Sequence, residues 1–136
     1  MNRFVLDCSV VMAWCFEDEK DRYSDTVLDL LSASEAVVPS LWALEIANVL
    51  LAGERRKRLT KADSFRFINL LRELPITVDQ ETTDHALSET ISIGREQGLS
   101  SYDATYLELA MREGIALATR DEGLRKAARK CGVKLI

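Results

Sequence analysis

A chain of 136 residues with 47% hydrophobic and 29% charged side chains sets the expectation of one domain over 1–136 with a core of its own. No apolar run reaches the roughly 18 residues of a membrane span, and no basic region precedes a long hydrophobic segment, so the expected setting is cytoplasmic, with no membrane partner. A net charge of −4 argues against attraction of the whole molecule to nucleic acid, and three cysteines without a C-x-x-C spacing, Cys8, Cys15 and Cys131, argue against a disulfide framework or a thiolate zinc site.

The first element is Phe4-Val5-Leu6, an uncharged run that reads as a short strand buried on both faces, as in a parallel sheet covered by helices. Asp7 ends it, at the carboxyl edge where open α/β sheets collect ligands. Val10 to Phe16 reads as a short buried or partner-covered helix, and Glu17 to Asp21 as a charged turn. An amphipathic helix follows, with Tyr23, Val27, Leu30 and Leu31 on one face. Ala36-Val37-Val38 is a second strand, after which Pro39-Ser40 is expected to stop it and cap a helix from Leu41 to about Arg58.

Thr60-x-x-Asp63 predicts a capping box opening a helix with Ala62, Phe65, Ile68 and Leu71 inward. Ile76-Thr77-Val78 is a third strand. Asp79 to Gln97 reads as one helix with Ala86, Leu87, Ile91 and Ile93 on its apolar side, closed by Gly98. Ser100 caps a helix from Tyr102 to Arg112, Ile115 to Thr119 is a fourth strand, Asp121 to Lys130 a last helix, and Val133 to Ile136 an edge strand. Strands alternating with helical patterns, without hairpin signals, predict a three-layer α/β/α sandwich around a parallel sheet of four to five strands.

Four carboxylates stand out against this frame. Glu45 is the one charge from Ala36 to Ala52, so its ionised form needs a cation or several donors. Asn48, one turn on, is a candidate to share its environment. Asp103 opens a helix and shares a face with Leu107 and Ala110, which turns it inward. Asp121 follows the fourth strand by two residues and doubles as a helix cap. Asp7, Glu45, Asp103 and Asp121 can therefore converge on one crevice. Two like charges 4 Å apart repel by about 4 kcal/mol at an effective dielectric near 20. Such a cluster calls for a hard cation, Mg²⁺ or Mn²⁺, since the ligands are all oxygen. Ser9 and Thr119 stand beside two of these acids and are placed to orient a ligand or a water.

Other chemistries fit less well. A phosphoryl-accepting receiver wants adjacent acids after the first strand, and a haloacid-dehalogenase phosphatase wants Asp-x-Asp, where this chain has Asp7-Cys8-Ser9. His85 is the single histidine, which counts against zinc hydrolases and Ser-His-Asp enzymes, and no P-loop sequence occurs.

The stretches Val5-Leu6-Asp7-Cys8-Ser9, Glu45-Ile46-Ala47-Asn48-Val49-Leu50, Tyr102-Asp103-Ala104-Thr105-Tyr106-Leu107-Glu108-Leu109-Ala110 and Thr119-Arg120-Asp121-Glu122-Gly123-Leu124, in this order, resemble the PIN domain family, specifically its VapC-type toxins. The resemblance spans essentially the whole chain. It implies a Mg²⁺- or Mn²⁺-dependent endoribonuclease of a toxin–antitoxin pair, with the family's acids at Asp7, Glu45, Asp103 and Asp121. It also implies a homodimer neutralised by a cognate antitoxin. Arg55, Arg56 and Arg120 are candidates for RNA phosphate contacts. The alternative is a catalytically silent PIN module that acts by binding protein or RNA. Trp14 and Phe16 belong either to the core or to a surface covered by a partner.

Overall fold

The computed structural model describes residues 2–136. Four short strands, β1 (Arg3–Leu6), β2 (Glu35–Val38), β3 (Ile76–Val78) and β4 (Ala116–Ala118), pair in parallel in the order β3-β2-β1-β4. Their register is Val5 opposite Val37 and Leu117, and Val37 opposite Thr77. Phe4, Val5, Leu6, Val37 and Leu117 are buried on both faces of the sheet, as an uncharged run predicts when helices cover it. The chain moves from β1 through β2 to β3 in one direction and places β4 on the other side. Strand order therefore reverses between β1 and β4, the position at which a parallel sheet opens a crevice at its carboxyl edge.

The helices are α1 (Cys8–Cys15), α2 (Arg22–Leu30), α3 (Trp42–Arg55), α4 (Lys61–Glu73), α5 (Thr82–His85), α6 (Ile91–Gln97), α7 (Ser101–Glu113) and α8 (Glu122–Lys130). Asp21, Thr60, Ser100 and Asp121 cap α2, α4, α7 and α8 by accepting backbone N–H groups, and Thr60 with Asp63 forms the expected capping box. Helix α7 is the most deeply buried element: every residue from Ala104 to Ala110 is inside. Among the described residues no helix is long and apolar enough to cross a membrane.

Several expectations need correction. Ser40 does not cap α3. Its backbone N–H donates to the Thr82 hydroxyl at 3.0 Å, and the helix starts from Leu41 and stops at Arg55, three residues early. In α4 the inward face is Ser64, Phe67 and Leu71, whereas Ala62 and Phe65 face out, Phe65 being 66% exposed. Ser64 tolerates this because its hydroxyl donates to Glu54 at 2.7 Å.

The single helix expected from Asp79 to Gln97 begins only at Thr82 and contains a π-helical turn over Ala86–Thr90. That wider turn shifts the phase of the helix, leaving Leu87 87% exposed and Ile93 buried. The C-terminal edge strand reduces to one parallel bridge, Leu135 to Leu117. Phe16 is buried beneath the Arg58 guanidinium, 3.9 Å from the ring centre, and Trp14 donates its indole N–H to the Ser24 carbonyl, so both pack within the fold.

Candidate active site

Asp7 stands immediately after β1, where its backbone N–H still bonds Ala118 of β4 at 3.0 Å. The side chain is buried, and Oδ2 accepts two hydroxyl protons, from Ser9 and from Thr119, each at 2.7 Å. Each hydroxyl also accepts a backbone N–H, Ser9 Oγ from Arg120 at 2.9 Å and Thr119 Oγ1 from Asp121 at 3.0 Å, and the two oxygens lie 3.3 Å apart, so the Asp7 carboxylate is tied through them to the loop after β4. Oδ1 is left without a side-chain donor. Ser9 and Thr119, expected to orient a ligand or a water, bond Asp7 itself.

Glu45 leaves the first turn of α3 half-buried, with Tyr106 of α7 donating its hydroxyl to Oε1. Asp103, in the first turn of α7, is half-buried, and its carboxylate has no hydrogen bond or ion pair with the described residues. Asp121 is exposed and caps α8 through Oδ1, which accepts the N–H groups of Gly123 at 2.9 Å and Leu124 at 3.4 Å.

The four acids feel one another. Burial pushes the Asp7 carboxyl above its ordinary value against the pull of the two hydroxyls, and the Asp121 charge pushes it further. Burial raises Glu45 as well, opposed by the Tyr106 hydroxyl and reinforced by Asp7 and Asp103. Asp103 is raised by burial, then by the charges of Asp121 and Asp7. Among the described residues none of the four acids forms an ion pair, and no group of three or more His, Cys, Asp or Glu side chains is drawn to ligand distance of one point. Pairwise, Asp7 is coupled to Asp121, Asp103 and Glu45, and Asp103 to Glu45 and Asp121. Oxygen donors that repel one another and have no internal cation match the chemistry of a hard divalent ion.

A carboxylate two strand ends away shows the contrast. Asp79 follows β3 as Asp7 follows β1, yet it receives Arg112 through two bonds, Nη1 at 3.1 Å and Nη2 at 2.8 Å. The guanidinium holds Asp79 below the usual carboxylate range, the opposite direction from Asp7. With Glu108, 4% exposed and bonded to Arg112 at 2.9 Å, Asp79 belongs to a closed structural network.

The remaining candidates separate. Asn48 is exposed, and Tyr106 takes the place at Glu45 that was expected of Asn48. Arg120 lies beside the site but is tied to Asp21 at 2.9 Å. Arg55 and Arg56 are exposed at the far end of α3, ten residues or about 15 Å along the axis from Glu45. Two buried neighbours, Tyr106 and Cys8, gave no functional signal in the sequence. Burial and the charges of Glu45 and Asp7 push the Cys8 thiol up, so it stays protonated and inert.

A four-stranded parallel sheet flanked by helices, with acids free of ion pairs among the described residues near its switch point, defines the α/β class, and family comparison makes it specific. The PIN domain profile matches residues 4–130, and the chain belongs to the PIN domain family. It is 25% identical over 122 residues to Ribonuclease VapC3 of Pyrobaculum aerophilum, covering 90% of this chain and 92% of that protein. The fold is similar to the crystal structure of PAE2754 from Pyrobaculum aerophilum, at TM-score 0.70 and 21% identity over 98% of this chain and 83% of that one. It is also similar to VapBC2 from Rickettsia felis bound to a DNA fragment from their promoter, at TM-score 0.64 and 13% identity over 98% and 97%.

Proposed function

We propose that this PIN domain is a Mg²⁺- or Mn²⁺-dependent endoribonuclease, the toxin of a VapBC-type pair. The observation that carries the reading is that Asp7, Glu45 and Asp103, buried or half-buried, have no ion pair among the described residues, while Asp79, at the next strand end but one, has its arginine. The likeness to a ribonuclease named VapC3 supports the substrate class.

In this reading Asp7 and Asp103 hold the ion, Glu45 reaches it directly or through water, and Asp121 completes the set with the oxygen not used in capping α8. A bound divalent ion supplies a water ionised near neutral pH and positive charge for the phosphoryl oxygens. The chain's own part is to keep that set aligned. Ser9 and Thr119 fix Asp7 through Oδ2 and leave Oδ1 for the site, and Tyr106 fixes Glu45. Arg120, oriented by Asp21, offers its guanidinium to an RNA phosphate at the rim, with Arg55 and Arg56 as a more distant backbone contact.

Leu44 and Leu51 on α3, and Phe65 and Leu70 on α4, are exposed apolar side chains of the kind a partner covers. The likeness to VapBC2 supports an antitoxin as that partner, and the resemblance to VapC toxins supports a homodimer in a cytoplasmic setting.

The test is cleavage of labelled RNA by the purified protein. Expected are cleavage with Mg²⁺ or Mn²⁺, loss with EDTA, restoration by added metal, and loss in a folded Asp103→Asn variant. Cleavage indifferent to EDTA overturns the metal assignment. No cleavage with any divalent ion instead favours the binding-only PIN module.

A further inference from the structure

We infer that Tyr106 is a positioning residue: its hydroxyl holds the Glu45 carboxylate in the acidic site and thereby sets the affinity for the divalent ion. The inference rests on the proposed metal site but assigns a residue outside it.

Among the described residues Tyr106 is the largest side chain that is wholly buried, at 0% exposed. A buried phenol needs a hydrogen-bond partner, and the one it has is Glu45 Oε1, across the gap between α7 and α3. Among the described residues no other hydrogen bond or ion pair holds that carboxylate. Its neighbours on α3, Ala43, Leu44, Ala47 and Asn48, are exposed and leave an open path to solvent. The Tyr106 hydroxyl anchors Glu45 on the side of α7, and because the ring is fixed among buried residues it cannot follow a carboxylate that swings out.

Tyr106 also lies three residues after Asp103 on the same rigid helix. One helix thus delivers a ligand directly and a second ligand by tether. The spacing between Asp103 and Glu45 is fixed through α7 rather than through α3, whose exposed face and uncapped start give it less support.

The test is a double-mutant cycle read by Mn²⁺ binding in calorimetry, without substrate. Tyr106→Phe keeps the ring and is expected to weaken Mn²⁺ binding about tenfold, as loss of an outer-shell partner does. Glu45→Ala weakens it at least as much, and Tyr106→Phe added to Glu45→Ala has no further effect, because the hydroxyl acts only through that carboxylate. A purely structural tyrosine gives the opposite pattern, equal losses with and without Glu45, and overturns the inference. So does wild-type affinity in Tyr106→Phe. If that variant does not fold, Tyr106→Met, which refills the space with a flexible apolar chain, enters the same cycle. Failure of the wild-type protein to bind Mn²⁺ at all instead removes the metal site and the inference with it.

Discussion

Asp7→Asn is expected to lower metal-dependent RNA cleavage by about a thousandfold or more while raising the melting temperature of the metal-free protein near neutral pH. Both effects have one cause. The folded state raises the Asp7 carboxyl above its unfolded value, chiefly by burial. A raised carboxyl binds its proton more tightly when folded, so stability declines as pH rises from the unfolded value through the folded one, and the penalty is fully present above that window. Asparagine carries no charge to desolvate or repel, and its carbonyl can still accept from Ser9 and Thr119. Fluorescent-RNA turnover and thermal unfolding in EDTA check the pair of outcomes. Retained turnover, or a lower melting temperature in the metal-free variant, contradicts the electrostatic account.

The largest loss of stability is expected at Arg112, away from the site. Arg112→Met strands two buried carboxylates, Asp79 and Glu108, whose side chains are 8% and 4% exposed. Removing one partner from a buried charge network costs about 3–5 kcal/mol, which corresponds to a fall in melting temperature of roughly 10–20 °C for a chain of this size. Asp79 carries a pH signature. Arg112 holds its carboxyl below the unfolded value, so the stability it contributes is present above that value and is lost as pH falls through the folded one. In Arg112→Met this acid-dependent loss should flatten. Denaturation midpoints across pH check it, and an unchanged acid limb means that the bidentate pair carries none of the coupling.

The contrast between these two aspartates explains what was readable in the sequence. Asp7 and Asp79 both follow uncharged runs at strand ends, and a strand-end rule does not distinguish them; the arginine that neutralises Asp79 is 33 residues away. Glu45 was readable because it is a lone charge in an apolar run. Asp103 and Asp121 were partly masked by their positions in helix first turns, and the structure keeps both meanings for Asp121, which caps α8 while repelling Asp7. Tyr106 was hidden because a buried tyrosine among apolar residues reads as core until its hydroxyl's partner is known. Phe65 and Phe67 two positions apart offer two registers for α4, and the inward one includes Ser64, a polar residue satisfied only by Glu54 of another helix. The π-helical turn at Ala86–Thr90 breaks the 3.6-residue period that places Leu87 on the apolar side, and Leu87 faces solvent.

The central claim is that mutual repulsion among Asp7, Glu45 and Asp103 is relieved by one divalent cation. Crystals soaked in Mn²⁺ and measured at the manganese absorption edge test it most directly. The expected result is an anomalous peak within about 2.3 Å of an oxygen from both Asp7 and Asp103, with Glu45 still bonded to Tyr106. Manganese bound only elsewhere on the protein, with the Asp7 and Asp103 carboxylates unmoved and no peak between them, would contradict it.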